Sequence, residues 1–310
     1  MRIVITGGSG LIGSALAREM GGAGHEVVVL SRDPSRVRSL PPNTRAAYWE
    51  GKWDGKSDGR TAGDWAQLLD ADTAIVHLAG DGVASGRWTD EKKRRIRDSR
   101  VESGQAVLAA VRHAKTPPRV LLQGSAVGYY GDCGDEVVDE SHPPGDDFLA
   151  RVCVEWEAST AGVSALGVRR PVLRTGIVLS DEGGALPRMA FPFRLLAGGA
   201  LGNGRQWVPW IHVADEVGAI RFLIERDDAD GPFNLTAPAP LTNRDFSRAL
   251  GRVLSRPSFA PAPGFALRFL LGEMADALLH GQRAVPKRLL ELGYEFRYAE
   301  AAGALADLLR

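Results

Sequence analysis

Through the first half of the chain, short β-branched and aliphatic runs alternate with stretches whose apolar positions recur every three or four residues. The uninterrupted apolar runs predict strands over 2–6 (RIVIT), 27–30 (VVVL), 74–78 (AIVHL) and 120–123 (VLLQ), with a further strand and its exit over 172–179. Between them the three-to-four spacing predicts helices over 11–20, where Ile12, Leu16 and Met20 share one face, over 88–114 and over 148–160. Strands without polar alternation, separated by helices, are those of a parallel sheet buried on both faces. The expected fold class is therefore α/β, a doubly wound parallel sheet. The second half changes character. Residues 180–210 are rich in glycine, proline and aromatic residues and show little periodicity. A helix returns over 213–225 and a strand over 233–236, and 243–254 and the remainder read as mainly helical. This pattern predicts a main domain of residues 1–179 and 208–235, with 180–207 and 236–310 forming a smaller, mostly helical C-terminal lobe over the sheet's carboxyl edge. Stretches such as PSFAPAPGF are connections, and no internal repeat is present.

The first strand runs directly into TGGSGLIG, in which Gly7, Gly10 and Gly13 give G-x-x-G-x-x-G and Gly8 adds an overlapping G-x-G-x-x-G. A glycine first allows a tight turn, a second allows close approach of a pyrophosphate, and a third lets helix and strand pack together. The helix amino end supplies amide donors and a partial positive charge. The pattern alone is weak, but here it follows a strand and opens a helix, as a dinucleotide-binding (Rossmann) turn requires. At the end of the second strand stand Ser31 and Arg32, where NAD-preferring sites usually carry an acid. A serine hydroxyl and a guanidinium suit the extra phosphate of NADP, so NADP is the expected cofactor. The nearby Asp33-Pro34 reads as a helix cap followed by its first residue. In the long helix, Arg100 falls on the face turned toward the sheet, where it needs an anion or carbonyl partner. The spacing leaves a bound cofactor and a structural carboxylate equally open.

Composition narrows the picture further. The chain has 310 residues, 44% hydrophobic and 25% charged, enough for a substantial core. Its 38 basic and 38 acidic residues balance, so no overall field recruits nucleic acid or an acidic membrane, and KKRRIR reads as a solvated helix face. The two cysteines, Cys133 and Cys153, have no metal-ligand spacing, and Cys153 reads as inert packing. This usage fits a reducing compartment. No metal is expected. No apolar run approaches the roughly 18–20 residues of a membrane helix, and 2–6 read as a strand rather than a secretory leader. The expected location is cytoplasmic, and the expected partner is a small molecule.

TGGSGLIG, AIVHLAG, LLQGSAVGYYG, VLRTGIVLS and PWIHVADEV occur in the order and spacing of the extended short-chain dehydrogenases/reductases, the superfamily of nucleotide-sugar epimerases and dehydratases, which the chain resembles. More narrowly it resembles their atypical epimerase-family (SulA-like, SDR39-type) subgroup. That likeness rests on Arg87-Trp88, Ser99-Arg100, GYYG, Trp156-Glu157, PFRLLAGGALGNGRQWVPWIHVAD and GQRAVPKRLLELGYEF, and it covers essentially the whole chain. The resemblance implies an NADP-type cofactor across the sheet's carboxyl edge. Gly7, Gly10, Leu11, Ile12 and Gly13 would hold the pyrophosphate, and Ser31 and Arg32 the adenosine phosphate. Leu78, Ala79 and Gly80 would pass beneath the ribose, with Arg100 and Val178 as further contacts.

Active extended members use a tyrosine general acid/base tuned by a lysine four residues later, together with a serine or threonine after the preceding strand. Ser125 stands where that hydroxyl is required. The Tyr-x-x-x-Lys pair is missing: the corresponding helix reads FLARVCVEWEAST, with Phe148 and Val152 near the expected places. Two substitutes follow Ser125, Tyr129 and Tyr130, either of which could be the phenol or merely pack. His212 is a weaker acid/base candidate than a loop anchor, Arg174 reads as a buried cation or pocket wall, and Trp207 and Trp210 read as pocket lining. Asp181 and Glu182 read as solvent-facing loop acids. Three functions fit these residues: an NADPH-dependent oxidoreductase on a small carbonyl or sugar-like substrate, an NADPH-binding sensor acting through a protein partner, and a nucleotide-sugar epimerase. The absent acid/base pair places the epimerase last.

Overall fold

The computed structural model describes residues 1–37, 40–52 and 64–310. Among these a seven-stranded sheet is built from β1 (Arg2–Thr6), β2 (Glu26–Ser31), β3 (Thr44–Tyr48), β4 (Thr73–His77), β5 (Val120–Ala126), β6 (Pro171–Thr175) and β7 (Gly231–Leu235). Every neighbouring pair is parallel, in the order β7-β6-β5-β4-β1-β2-β3. The strand order reverses between β1 and β4. In a doubly wound sheet the loops leaving those two strands part there and open a crevice for a ligand.

The apolar runs are buried on both faces, as continuous hydrophobicity demands. On one face α1 (Leu11–Gly22) and α5 (Val213–Glu225) close a core containing Leu16, Met20, Ile220, Leu223 and Phe233. On the other, α2 (Asp90–His113) covers Val4, Val28, Ile75 and Leu121, with α3 (Phe148–Ser159) packed beside it. Side-chain caps fix the starts of these helices. Thr89 accepts from the Lys92 amide at 3.2 Å, and Asp147 from the Ala150 amide at 2.8 Å, each cap contributing about 1 kcal/mol.

A third core joins Leu179, Phe193, Trp210, Phe246, Leu250 and Leu305. It is built by α4 (Leu186–Arg194), α6 (Asn243–Val253) and the C-terminal helix α8 (Ala301–Leu309), while α7 (Gly264–Leu271) lies on the surface with no buried residue. Three features depart from the sequence expectation. Strand β3 is half-buried at the sheet edge, and its short run TRAAY carries little apolar signal. Helix α4 lies within the stretch that lacks periodicity, with a proline in its first turn and Pro192 inside it. The run 172–179 is two strands: Gly176 breaks it, and Ile177–Leu179 pairs instead with Trp210–His212. Both cysteines are free, and among the described residues no helix is long and apolar enough to cross a membrane.

Candidate active site

The glycine turn sits at the switch point. Gly7 has φ +72°, and a Cβ there would stand 3.0 Å from the Leu78 carbonyl, so the turns leaving β1 and β4 touch backbone to backbone. A Cβ on Gly13 would lie 2.4 Å from the Gly7 oxygen and 2.6 Å from Gly8 Cα; only glycine lets α1 start this close to its own turn. Gly10 is the N-cap and brings no side-chain acceptor to the amides of Leu11, Ile12 and Gly13, and no acid occupies the first turn. A Cβ on Gly10 would meet nothing nearer than the Gly7 oxygen, at 3.2 Å. Uncapped amides under a bare glycine are a cradle for a diphosphate.

A buried network steadies the floor of this crevice. Thr6 Oγ1 accepts from the Leu78 and Ala79 amides at 3.1 and 3.2 Å and meets His77 Nδ1 at 2.7 Å. Trp156 Nε1 donates to His77 Nε2 at 3.3 Å. Burial, reinforced by the Arg100 charge, holds the imidazole down to about 3, so it is neutral.

At the end of β2, Arg32 is exposed and makes no hydrogen bond or ion pair among the described residues. Ser31 accepts from the Asp33 amide at 3.1 Å, and Asp33 caps the next turn by accepting from the Ser35 amide at 3.2 Å. Arg100 donates to the carbonyls of Asp81 and Ile96, both at 2.9 Å, and lies 5.0 Å over the Trp156 ring. Its observed partners are carbonyls rather than a carboxylate. Its guanidinium carbon would be 2.9 Å from a Cβ on Gly80, so glycine there lets the loop pass over it. Val178 packs its side chain into the sheet's core, on a strand paired in register with Ile211.

Ser125, on the last turn of β5, is paired in register with Arg174 on β6. Its hydroxyl donates to Glu157 Oε1 at 2.7 Å. Arg174 grips both oxygens of that carboxylate, Nε to Oε1 at 3.0 Å and Nη2 to Oε2 at 3.1 Å. The same guanidinium lies 3.5 Å from the centre of the Tyr129 ring. The Tyr129 hydroxyl has no hydrogen-bond partner among the described residues. Tyr130 is buried beside it. Its hydroxyl donates to Asn234 Oδ1 at 2.6 Å and accepts from Arg174 Nη1 at 3.1 Å, and burial pushes the phenol up to about 12. It is 2% exposed, with its hydroxyl bonded both as donor and as acceptor.

Other candidates settle as follows. Phe148 stacks edge-on against Trp88, 5.2 Å between ring centres, and Val152 is buried. His212 Nδ1 accepts from the Ala214 amide at 3.0 Å as the N-cap of α5, and its ring stacks on Tyr298. Trp210 is fully buried in the third core. Trp207 donates to Asp135 at 2.9 Å beneath Arg283. Asp181 and Glu182 are exposed, and Glu182 pairs with Arg18 at 2.5 Å. Burial raises the Cys153 thiol to about 11, which leaves it unreactive.

The sheet topology and the glycine cradle define a nucleotide-binding enzyme fold of the short-chain dehydrogenase type. The model of the NAD dependent epimerase/dehydratase family matches residues 3–236, and that of a domain of unknown function, DUF1731, matches 262–308. Epimerase family protein Mb2239 of Mycobacterium bovis is 41% identical over 98% of this chain and 96% of its own length. The chloroplastic SDR39U1 homolog of Arabidopsis thaliana is 38% identical over 100% of this chain and 87% of its own. The crystal structure of human SDR39U1 with NADPH superposes with a TM-score of 0.86 at 33% identity, covering 99% of both chains. The chain belongs to the NAD dependent epimerase/dehydratase family, in its atypical SDR39U1-like branch.

Proposed function

We propose that the chain binds NADP(H) and is an oxidoreductase acting on a small carbonyl or sugar-like substrate. The observation that carries the cofactor choice is Arg32: exposed and without a partner among the described residues, beside Ser31 and one strand from the uncapped amides of α1. The human relative's crystal structure is one with NADPH, in agreement with that choice. In this reading Gly7, Gly10, Leu11, Ile12 and Gly13 hold the diphosphate, and Leu78, Ala79 and Gly80 support the ribose. Ser31 and Arg32 take the adenosine phosphate. A nicotinamide dinucleotide bound there supplies hydride transfer. Arg32→Ala is expected to weaken NADPH binding by about 2 kcal/mol while leaving NADH binding unchanged, read by calorimetry. Equal loss for both nucleotides would remove Arg32 from the phosphate site.

The chain's own residues handle the proton. Glu157 accepts the Ser125 proton and thereby turns the Ser125 lone pairs outward, toward a substrate hydroxyl. The phenol of Tyr129, steadied by Arg174 against its face, is the donor for a carbonyl oxygen. This arrangement replaces Tyr-x-x-x-Lys with Ser125–Glu157–Arg174–Tyr129. A screen of carbonyl substrates, following NADPH absorbance at 340 nm, tests it. Turnover that falls in Tyr129→Phe but persists in Tyr130→Phe, with NADPH affinity held in both, is the expected result.

One observation favours a second reading. Phe148 and Val152 bring no proton to the place where the superfamily keeps its acid. An NADPH-retaining sensor acting through a protein partner needs none. No turnover with any carbonyl class, together with a stoichiometric partner that binds only the NADPH-loaded chain, would select it.

A further inference from the structure

Helix α6 carries Arg244, Arg248 and Arg252 at intervals of four, so they line one exposed face over about 12 Å. Arg256 follows just beyond the helix end. A surface groove of about 420 Å³ opens among Arg248, Gly251, Arg252, Ser255, Arg256 and Ser258. A second groove, of about 320 Å³, shares Arg248 and adds Arg205 and Arg244. Five guanidiniums thus line a trough of two grooves joined at Arg248, in a chain of no net charge.

Their neutralisation is incomplete. Asp245 pairs with Arg248 at 3.3 Å, and Asp135, the other acid of the trough, accepts from the Trp207 ring nitrogen. Arg244 reaches the Asn203 carbonyl and Arg256 the Ser255 carbonyl. Among the described residues Arg252 and the side chain of Arg205 have no partner. The partial negative charge at a helix C-terminus accounts for arginines at its last turn, but not for Arg205, which lies outside α6, Arg244 in its first turn or Arg248 at its middle. The turn that ends α6 adds a hydroxyl. The Arg256 amide returns to the Gly251 carbonyl at 2.8 Å around Ser255, whose φ is +53°. Glycine usually occupies that left-handed position; here a serine places its side chain in the groove.

We propose that this trough is an anion-binding site for a linear oligophosphate, separate from the glycine cradle on the main sheet. Guanidiniums at helical spacing offer forked donors to successive phosphoryl groups, and Ser255 and Ser258 supply hydroxyl donors. The chemistry is shared by a bare polyphosphate chain and by the triphosphate of a nucleotide.

Titration of sodium tripolyphosphate into the NADPH-saturated full chain, by calorimetry, tests the site with the cradle filled. Saturable binding is expected, weakened at least about tenfold in Arg248→Glu/Arg252→Glu and by added salt. Unchanged NADPH affinity in that variant shows that the fold is intact. Equal affinity for ATP assigns the site to the bare phosphate chain, and affinity about tenfold higher for ATP assigns it to a nucleotide. Binding that is absent, or equal in wild type and variant, overturns the proposal. So does a single-stranded oligonucleotide binding where tripolyphosphate does not, which would make the trough a nucleic-acid surface.

Discussion

Glu157→Ala is expected to destabilise the fold by about 3–5 kcal/mol, the range for removing one partner of a buried ion pair. The Arg174 side chain is 6% exposed and that of Glu157 14%. Burial alone would pull the guanidinium's pKa down, and the bonds and charge of Glu157 more than reverse this, so it stands raised. With the carboxylate gone, Arg174 keeps the Tyr130 hydroxyl, the Glu140 carbonyl and the faces of two tyrosine rings, none of which carries a countercharge. Ser125 loses its acceptor at the same time. Glu157→Gln retains an acceptor oxygen for Ser125 and gives up the charge, so it should fall between wild type and alanine. Urea denaturation monitored by tryptophan fluorescence measures both. An alanine variant within about 1 kcal/mol of wild type would mean that water replaces the carboxylate and that the pair does not organise the site.

That cluster also marks the boundary of what the sequence discloses. The glycine turn was legible because its chemistry is local: three glycines, a strand before and a helix after follow one another without a break over residues 2–22. The Asp33-Pro34 cap was legible for the same reason. Glu157 and Arg174 lie on different elements and meet only because β5 and β6 are neighbours and α3 crosses behind them. A signal was nevertheless present. Glu157 follows Cys153 by four on α3 and so shares a buried stripe, and Arg174 interrupts an apolar strand. Two opposite charges on buried faces call for each other. Tyr129 and Tyr130, adjacent and chemically identical, could not be separated without the partner Asn234, which comes from β7. Helix α4 was hidden by its prolines, and Trp210 read as pocket lining because size and aromaticity describe a core residue equally well.

Stability should decline from pH 6.5 to 8 by about 1.4 kcal/mol per pH unit on account of one buried carboxyl. Burial, only partly offset by the Thr175 hydroxyl donating at 2.8 Å, pushes Glu216 up to about 8. Its Oε2 is buried with no partner among the described residues. In the unfolded chain the group ionises near 4.5. Between these values the folded chain retains a proton that the unfolded chain has released. The stabilisation is therefore complete below 4.5 and is lost as pH rises through 8. His77 acts in the opposite sense: its imidazole, held down to about 3 by burial, must stay neutral while the unfolded ring protonates below 6.5. Its contribution is present above 6.5 and lost as pH falls toward 3. From 4.5 to 6.5 the two slopes oppose each other, and above 6.5 Glu216 acts alone. Glu216→Gln keeps an acceptor for Thr175 and removes the titration. Urea denaturation at several pH values should therefore show wild type losing stability above 6.5 while the variant stays level. Parallel curves would mean that Glu216 ionises inside the fold without cost, and that its buried oxygen is solvated.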